Sequence, residues 1–265
     1  MSSELGARVI TALFLVAGFL AVLFLLSPVA VTLVFALIMT LAAWEWAGLM
    51  KAGQALRILY AGVVLLSCLV LWLQALNSFP VLWAIAALFW LGLAPFWLAT
   101  RRSVGTSGYF IGWVLLVPTW AALVDLHSRS PVLLLAVMAL VWIADIAAYF
   151  TGRAFGKHKL APAISPGKTW EGVAGAVVGV MIYGLWAANQ LPAIADVTPV
   201  FMAGALLLLT ALSIVGDLFE SMIKRQANMK DSSQLLPGHG GILDRIDSQT
   251  STLPVVALAL LLVSQ

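Results

Sequence analysis

The run VFMAGALLLLTALSIVGDLF, from Val200 to Phe219, decides the fold class of this chain. It is almost wholly apolar over about 20 residues, the length that a helix needs to cross the hydrocarbon core of a bilayer. Similar runs recur throughout the sequence, at 9–26, 29–50, 58–76, 81–99, 109–126, 132–150, 173–190 and, in shorter form, 252–263. The alternating segments of about 10 residues that form membrane β-barrels are not seen. We therefore predict an all-α polytopic integral membrane protein with about nine transmembrane helices.

The composition supports the same class. Of the 265 residues, 63% are hydrophobic and only 9% are charged, whereas an average soluble domain has about 25% charged residues. An ordinary soluble globular protein is thereby excluded. Because no linker or repeat separates the apolar runs, we expect a single membrane domain over residues 1–265. Its N-terminal helical half would be 1–130, and its C-terminal half, 131–265, would carry the catalytic motifs.

The basic residues are distributed unequally among the connections. If each apolar run crosses the bilayer once, all of the 14 Lys and Arg residues except Arg129 fall on one side. Cytoplasmic loops carry the excess of Lys and Arg, so we expect a cytoplasmic N-terminus and an external C-terminus. The last run, Thr252 to Val263, is short for a perpendicular span and contains Pro254. We expect it to tilt, to thin the bilayer or to be partly re-entrant.

Polar residues concentrate in two windows of the second half, both on the side predicted to be cytoplasmic. The first window, residues 144–172, has Asp145 and Tyr149 one helical turn apart at the end of an apolar run. A basic loop and the segment SPGKTWEG, residues 165–172, follow. Lys168 precedes a threonine as in a Walker loop, but the required glycine spacing and strand are missing, which excludes a P-loop. The glycines at 172, 175 and 179 indicate close helix packing.

The second window begins with GDLFESMIKR, residues 216–225. If the preceding run continues as a helix, four polar side chains lie on one face: Asp217, Glu220, Ser221 and Lys224. Such groups at the edge of the hydrocarbon are costly unless they bind one another, a metal or a ligand. A glycine-rich loop, PGHGG at 237–241, leads to Asp244 and Asp247. Carboxylates near surplus cations, without a Cys or His cluster, favour Mg²⁺ with phosphates.

Together these motifs resemble the pattern of the phosphatidate cytidylyltransferases, also called CDP-diacylglycerol synthases. The resemblance covers SMIKR at 221–225, KD at 230–231 and PGHGGILDRID at 237–247 without a departure, and SPGKTWEG is also similar. The first 130 residues match only in hydropathy. The resemblance implies transfer of a cytidylyl group from CTP to phosphatidate, giving CDP-diacylglycerol and pyrophosphate. It also implies a divalent metal, a homodimer and an active site facing the cytoplasm in a bacterial-type inner membrane.

The chemistry of this reaction agrees with the residues available. Phosphatidate is a phosphate monoester with a second pKa of about 6, so its nucleophilic oxygen is largely ionised at neutral pH. The reaction therefore needs no strong general base. It does need alignment of two polyanions and stabilisation of the charge on the α-phosphate and on the departing pyrophosphate. Carboxylate-bound metal and several cations would supply that stabilisation.

The resemblance assigns roles to individual residues. The expected metal ligands are Asp217, Asp244 and Asp247, which would hold Mg²⁺. Whether a second cation binds is left open. The expected catalytic residues are Asp217, Asp244, Lys224, Ser221, Lys168 and Asp231. The expected substrate contacts are Ser165, Lys168, Arg225, Lys230, His239, Gly240, Arg245, Asp145 and Tyr149. Structural alternatives are internal ion pairs for the aspartates and, for the cations, anchoring of the topology.

Other interpretations remain open at the level of sequence. Related CTP-dependent enzymes act on ether lipids or polyprenols, and ion- or substrate-coupled transporters also carry charges within membrane helices. A structural membrane subunit would leave both polar windows unexplained. The expected partners are CTP, phosphatidate and membrane lipid, without nucleic acid. Glu45 is expected to pair with Lys51 rather than to act in catalysis, and Cys68 to be a small packing residue.

Overall fold

The computed structural model describes residues 2–74, 79–191, 197–236, 238 and 240–263. The helices found there are α1 (Ser2–Leu25), α2 (Pro28–Leu49), α3 (Gln54–Leu73), α4 (Phe79–Leu88), α5 (Ala94–Thr100), α6 (Gly108–Arg129), α7 (Pro131–Phe155), α8 (Trp170–Ala188), α9 (Pro199–Gln226) and α10 (Leu243–Val263). A π-helical turn, Phe89–Leu93, joins α4 to α5, and a 3₁₀ turn, Gly105–Ser107, precedes α6. Strands β1 (Lys159–Ala161) and β2 (Ser165–Thr169) form an antiparallel hairpin between α7 and α8.

Within the described residues, 8 helical segments are long and apolar enough to cross a membrane. They are α2, α3, the continuous segment Phe79–Thr100, the segment Gly105–Arg129, α7, α8, α9 and α10. A shorter apolar helix, Val16–Leu25, lies at the end of α1. These findings confirm the predicted all-α polytopic membrane fold.

Three of the spanning helices begin with the same local device, a hydroxyl residue followed by proline. Ser27, Ser130 and Thr198 each accept a hydrogen bond from the backbone N–H three residues later, at the start of α2, α7 and α9. Each of them is followed by a proline at the first helical position. Proline lacks an N–H, and an N–H at this position would have no partner within the helix. The sequence therefore sets the beginning of these helices locally, independently of packing.

The last helix is longer than the hydropathy of the sequence suggested. Helix α10 begins at Leu243 and has 21 residues, and Pro254 lies inside it without ending it. The helix is therefore long enough to cross a membrane, although the apolar run predicted at 252–263 covers only its second half. Its polar first turns are buried against protein: residues 248–252 are at most 3% exposed, and Ser251 Oγ donates to the carbonyl oxygen of Leu212 at 2.8 Å. The hydroxyls of Thr250, Ser251 and Thr252 thus donate to carbonyl oxygens inside the bundle rather than facing lipid.

Helix α10 lies at the centre of the bundle, in contact with α4, α6 and α9. The bulkiest fully buried side chains, from α2, α4, the π-helical turn and α6, belong to the same apolar core: Trp46, Trp83, Trp90 and Trp120. Helices α7 and α8 form a second close pair. An added Cβ at Gly172 would lie 2.8 Å from the carbonyl oxygen of Ala148, and one at Gly175 would collide with Thr151. The glycine spacing therefore serves close packing, as predicted.

Candidate active site

A cavity of about 600 Å³ opens between α7, the β1–β2 hairpin, α8 and α9. It is lined by side chains from both polar windows, including Asp145, Tyr149, Arg153, Ser165, Lys168 and Asp217. The hairpin makes this meeting possible, because β2 runs from Ser165 to Thr169 and brings the SPGKT segment over the end of α9. The structure therefore brings together motifs that the sequence separates widely.

The two windows meet most closely at Lys168 and Asp217. The Lys168 Nζ lies 2.5 Å from Asp217 Oδ2, and both side chains remain partly exposed, at 23% and 28%. Ser221 Oγ, one turn further along α9, donates to the other carboxylate oxygen of Asp217 at 3.2 Å. Tyr149, on the opposite wall, accepts a hydrogen bond from Arg153 at 3.0 Å. The pair formed by Lys168 and Asp217 therefore places a cation and an acceptor together at the cavity wall.

A second, more buried charge cluster surrounds Lys224. Its Nζ donates to Glu220 Oε2 at 2.8 Å and to Asp244 Oδ1 at 2.6 Å. The exposed fractions of the Lys224, Glu220 and Asp244 side chains are 12%, 4% and 7%. The ammonium group of Lys224 is therefore held between two carboxylates. Removing one partner of a buried pair leaves an uncompensated charge, so this cluster supports the fold as well as any reaction.

Asp244 also closes the loop that precedes α10. Its Oδ2 atom accepts hydrogen bonds from the backbone N–H of Ser232 at 2.9 Å, from Ser232 Oγ at 2.9 Å and from the backbone N–H of Gly241 at 2.8 Å. Gly240 has a φ of +83°, a conformation that favours glycine, and it pairs with Leu236 in an isolated β-bridge. A metal ion at Asp244 would have to compete with these donors and with Lys224.

Four carboxylates lie near the junction of the cavity and the Lys224 cluster. Asp247 lies close enough to Asp145, Asp217 and Glu220 to interact electrostatically with each of them. Glu220 Oε1 is buried and receives no hydrogen bond from the described part of the chain. An unsatisfied buried carboxylate oxygen within an acidic group fits a cation, since hard divalent ions take oxygen ligands. The donor set at Asp217 and Asp247 therefore fits Mg²⁺.

The protein alone does not complete a metal-binding shell in the described ranges. No group of three or more His, Cys, Asp or Glu side chains there is arranged to hold a metal ion. Asp217 and Asp244 contact different lysines, Lys168 and Lys224. Mg²⁺ commonly keeps water and takes substrate phosphate with one or two carboxylates, so an incomplete protein shell is compatible with it.

Of the predicted residues that the structure describes, only Asp145, Tyr149, Ser165, Lys168 and Asp217 line the cavity itself. Arg225 donates to the backbone oxygens of Ile164 and Met229, at 3.4 Å and 3.5 Å, and so ties the hairpin to α9. Lys230 and Asp231 are exposed in the loop after α9, and Arg245 is exposed in the first turn of α10. His239 lies outside the described residues. The roles predicted for these residues in substrate binding or catalysis stay predictions.

Glu45 is the residue that the sequence reasoning misplaced. It forms no ion pair with Lys51 in the described chain, so the predicted pairing was wrong. Its carboxylate instead accepts hydrogen bonds from the backbone N–H groups of Ile242 and Leu243, where α10 begins. The signal available in the sequence was a carboxylate between two tryptophans in an apolar run, with no cation one turn away.

Gly241 offers a test of how tightly this loop is packed. An added Cβ would collide with Ser232 Oγ and lie 2.6 Å from Glu45 Oε1, so we expect Gly241→Ala to destabilise the protein by about 1–3 kcal/mol. The matched control is Gly62→Ala, because a Cβ there has no neighbour within 4 Å. Thermal unfolding of both purified variants measures the difference. Equal stability of the two would show that the loop has room to adjust.

Comparison with known proteins agrees with this geometry. A model of the cytidylyltransferase family matches residues 6–263. The chain is 43% identical to the phosphatidate cytidylyltransferase of Pseudomonas aeruginosa, over 97% of both chains. It is 36% identical to the enzyme of that name from Haemophilus influenzae, over 94% of this chain and 96% of the relative. The phosphatidate cytidylyltransferase of Bacillus subtilis is 43% identical over 124 residues, 47% of this chain and 45% of its own. The resemblance seen in the motifs is thus confirmed along nearly the whole sequence, and the chain belongs to the cytidylyltransferase family.

Proposed function

We propose that this chain transfers the cytidylyl group of CTP to phosphatidate, forming CDP-diacylglycerol and releasing pyrophosphate. The observation that carries the proposal is the meeting of the two polar windows at one cavity, through Lys168 and Asp217. Family membership and the names of the relatives from P. aeruginosa and H. influenzae support the same reaction. The integral membrane fold suits a substrate that is itself a lipid.

The reaction is a phosphoryl-type transfer between two polyanions. A phosphate oxygen of phosphatidate forms a bond to the α-phosphorus of CTP, and the bond from that phosphorus to the bridging oxygen of pyrophosphate breaks. The Lys168 ammonium group, partly exposed at the cavity wall, is placed to neutralise phosphate charge as it develops. The Lys224 cluster holds Asp244 and the loop before α10 at the inner end of the site. Alignment and charge neutralisation, rather than proton abstraction, are the tasks of these residues.

Mg²⁺ is proposed as the cofactor. When bound, it would neutralise triphosphate charge and orient the α-phosphate. Asp217 and Asp247 would hold it, supported by the acidic surroundings and the unsatisfied Glu220 oxygen. Asp244, also expected as a ligand from the sequence, would have to give up one of its present donors to join them.

The site is proposed to face the cytoplasm from a bacterial-type inner membrane, in a homodimer and without a nucleic-acid partner. The asymmetry of Lys and Arg supports this orientation. The basic connection after α5 also lies beside the end of α9, where Gln226 Nε2 donates to the carbonyl oxygen of Arg102 at 3.1 Å. CTP is present in the cytosol, so a site at the cytoplasmic face of the membrane has access to it.

A direct assay separates this function from its alternatives. Purified protein in detergent is given CTP and Mg²⁺ with phosphatidate, with an ether-lipid acceptor, with a polyprenyl acceptor or with no lipid. We expect pyrophosphate and CDP-diacylglycerol in equal amounts only with phosphatidate. If turnover occurs only with another lipid, that lipid and not phosphatidate is the substrate. If no acceptor gives turnover, the transporter alternative is favoured.

The proposed sidedness predicts a labelling pattern in intact cells. Ala163, in the hairpin turn, and Ser128, at the opposite end of the bundle by the charge pattern, are both exposed. We expect Ser128→Cys, and not Ala163→Cys, to react with an impermeant thiol reagent from outside. The background should be low because native Cys68 is 0% exposed. External labelling of Ala163→Cys would reverse the proposed orientation.

A further inference from the structure

The carboxylate of Glu45, in α2, is 0% exposed although no Lys or Arg forms an ion pair with it in the described chain. A buried charge of this kind is costly unless hydrogen bonds replace its hydration. Three donors at and just before the start of α10 supply them. Oε1 accepts from Ile242 N at 3.0 Å and Ser233 Oγ at 2.5 Å, and Oε2 accepts from Leu243 N at 2.7 Å.

This contact replaces an ordinary helix cap. The first N–H groups of a helix have no partner within it, and a side chain just before the helix usually accepts from them. For α10 the acceptor is a carboxylate 197 residues away along the chain from Ile242. A negative charge at a helix N-terminus is favourable. Glu45 therefore fixes the beginning of α10 to α2.

The same contact reaches the charge cluster through Ser232. The Ser232 hydroxyl lies 3.2 Å from Glu45 Oε2 and 2.9 Å from Asp244 Oδ2. Asp244 in turn holds Lys224. A hydroxyl has one proton to donate, so the position of the Ser232 side chain depends on the carboxylates of both Glu45 and Asp244. Displacement of Glu45 would therefore shift Ser232 and, with it, Asp244 and Lys224.

We propose that Glu45 is a positioning residue for cytidylyl transfer, which holds Ser233 and the start of α10 so that Asp244 and Lys224 keep their places at the site. The proposal rests on the proposed function. Glu45 is 0% exposed and its carboxylate is enclosed by these donors, so it acts through the loop rather than on substrate.

Glu45→Gln is the sharpest variant because each carboxylate oxygen accepts from a backbone N–H. Whichever way the amide turns, its NH₂ group faces one of these donors. We expect kcat to fall by about 10- to 100-fold, as for other residues that orient catalytic groups, with a smaller change in KM for CTP. Glu45→Asp keeps the carboxylate and should restore part of the lost kcat.

The matched control is Thr119→Val. Thr119 is 0% exposed and its hydroxyl lies 3.4 Å from the carbonyl oxygen of Thr250, so this substitution disturbs the packing of α10 away from the loop. We expect it to lower thermal stability without lowering kcat per folded molecule. If Glu45→Gln behaves in the same way, with normal kcat per folded molecule, its role is structural and the proposal is overturned.

A readout independent of turnover is trypsin cleavage after Lys230, which is exposed at the edge of the loop. If Glu45 holds the loop, the folded Glu45→Gln protein is cleaved there faster than wild type and faster than Thr119→Val. Unchanged cleavage would reject the holding role. Absence of turnover in the wild-type protein would reject the proposed function separately, because the cleavage comparison does not depend on it.

Discussion

Asp217→Asn is expected to lower turnover by about 100-fold or more, with a thermal unfolding midpoint close to that of wild type. The substitution keeps the shape of the side chain but removes the charge that pairs with Lys168 and that Mg²⁺ prefers. Stability should change little, because exposed ion pairs contribute about 0–1 kcal/mol and the Asp217 side chain is 28% exposed. Turnover and unfolding measured on the same preparations give the result.

Asp125→Asn is the matched control for this substitution. Asp125 also forms a partly exposed ion pair, with Arg129 at 2.8 Å, but lies away from the cavity. We expect it to leave turnover unchanged. Raising the Mg²⁺ concentration should restore only part of the activity of Asp217→Asn, since positioning is lost together with occupancy. Nearly normal turnover per folded molecule, combined with reduced stability, would instead identify Asp217 as a structural ion-pair partner.

The two lysines of the site should respond differently to the same substitution. Lys224→Met leaves Glu220 and Asp244 buried without their cation, and breaking a buried pair in this way costs about 3–5 kcal/mol. We therefore expect the variant to be both unstable and inactive. The sequence predicts Lys224 as a catalytic residue at the edge of the hydrocarbon, and the structure adds that its side chain is only 12% exposed.

Lys168→Met should instead inactivate a protein that remains folded, because Lys168 is partly exposed at the cavity wall and Asp217 can be solvated there. Thermal unfolding and turnover of both methionine variants, measured in the same detergent, test the contrast. Equal stability of the two would show that Lys224 is not required for the fold. If folded Lys168→Met has normal turnover, the role of Lys168 is to anchor the topology rather than to bind phosphate.

Local features of the sequence were sufficient to predict the membrane-spanning fold and the two polar windows. Apolar runs, hydroxyl residues before proline and the spacing from Asp217 to Lys224 depend only on neighbours along the chain. They identify elements without showing which elements meet. The alternation of apolar runs placed both windows on one side of the membrane, which allows them to meet, and the structure brings them together at one cavity.

What could not be predicted depends on contacts distant in sequence. The acceptor for the start of α10 comes from Glu45, and the partner of Asp217 comes from the hairpin through Lys168. No local pattern indicates either contact. The apolar run predicted at 252–263 covers only the second half of α10, because the hydropathy of its polar turns describes transfer into lipid, whereas Ser248 and Thr252 are buried in protein.

The central position of α10 has a consequence for how the protein is made. This helix leaves the ribosome after α4, α6 and α9, yet it contacts all three of them in the middle of the bundle. Its polar first half is poorly suited to enter lipid alone, so the earlier helices have to leave a protein-lined opening to receive it. Asp244 and Asp247 arrive on this helix. A nascent chain therefore acquires these two site carboxylates only when α10 has been made and has joined the helices before it.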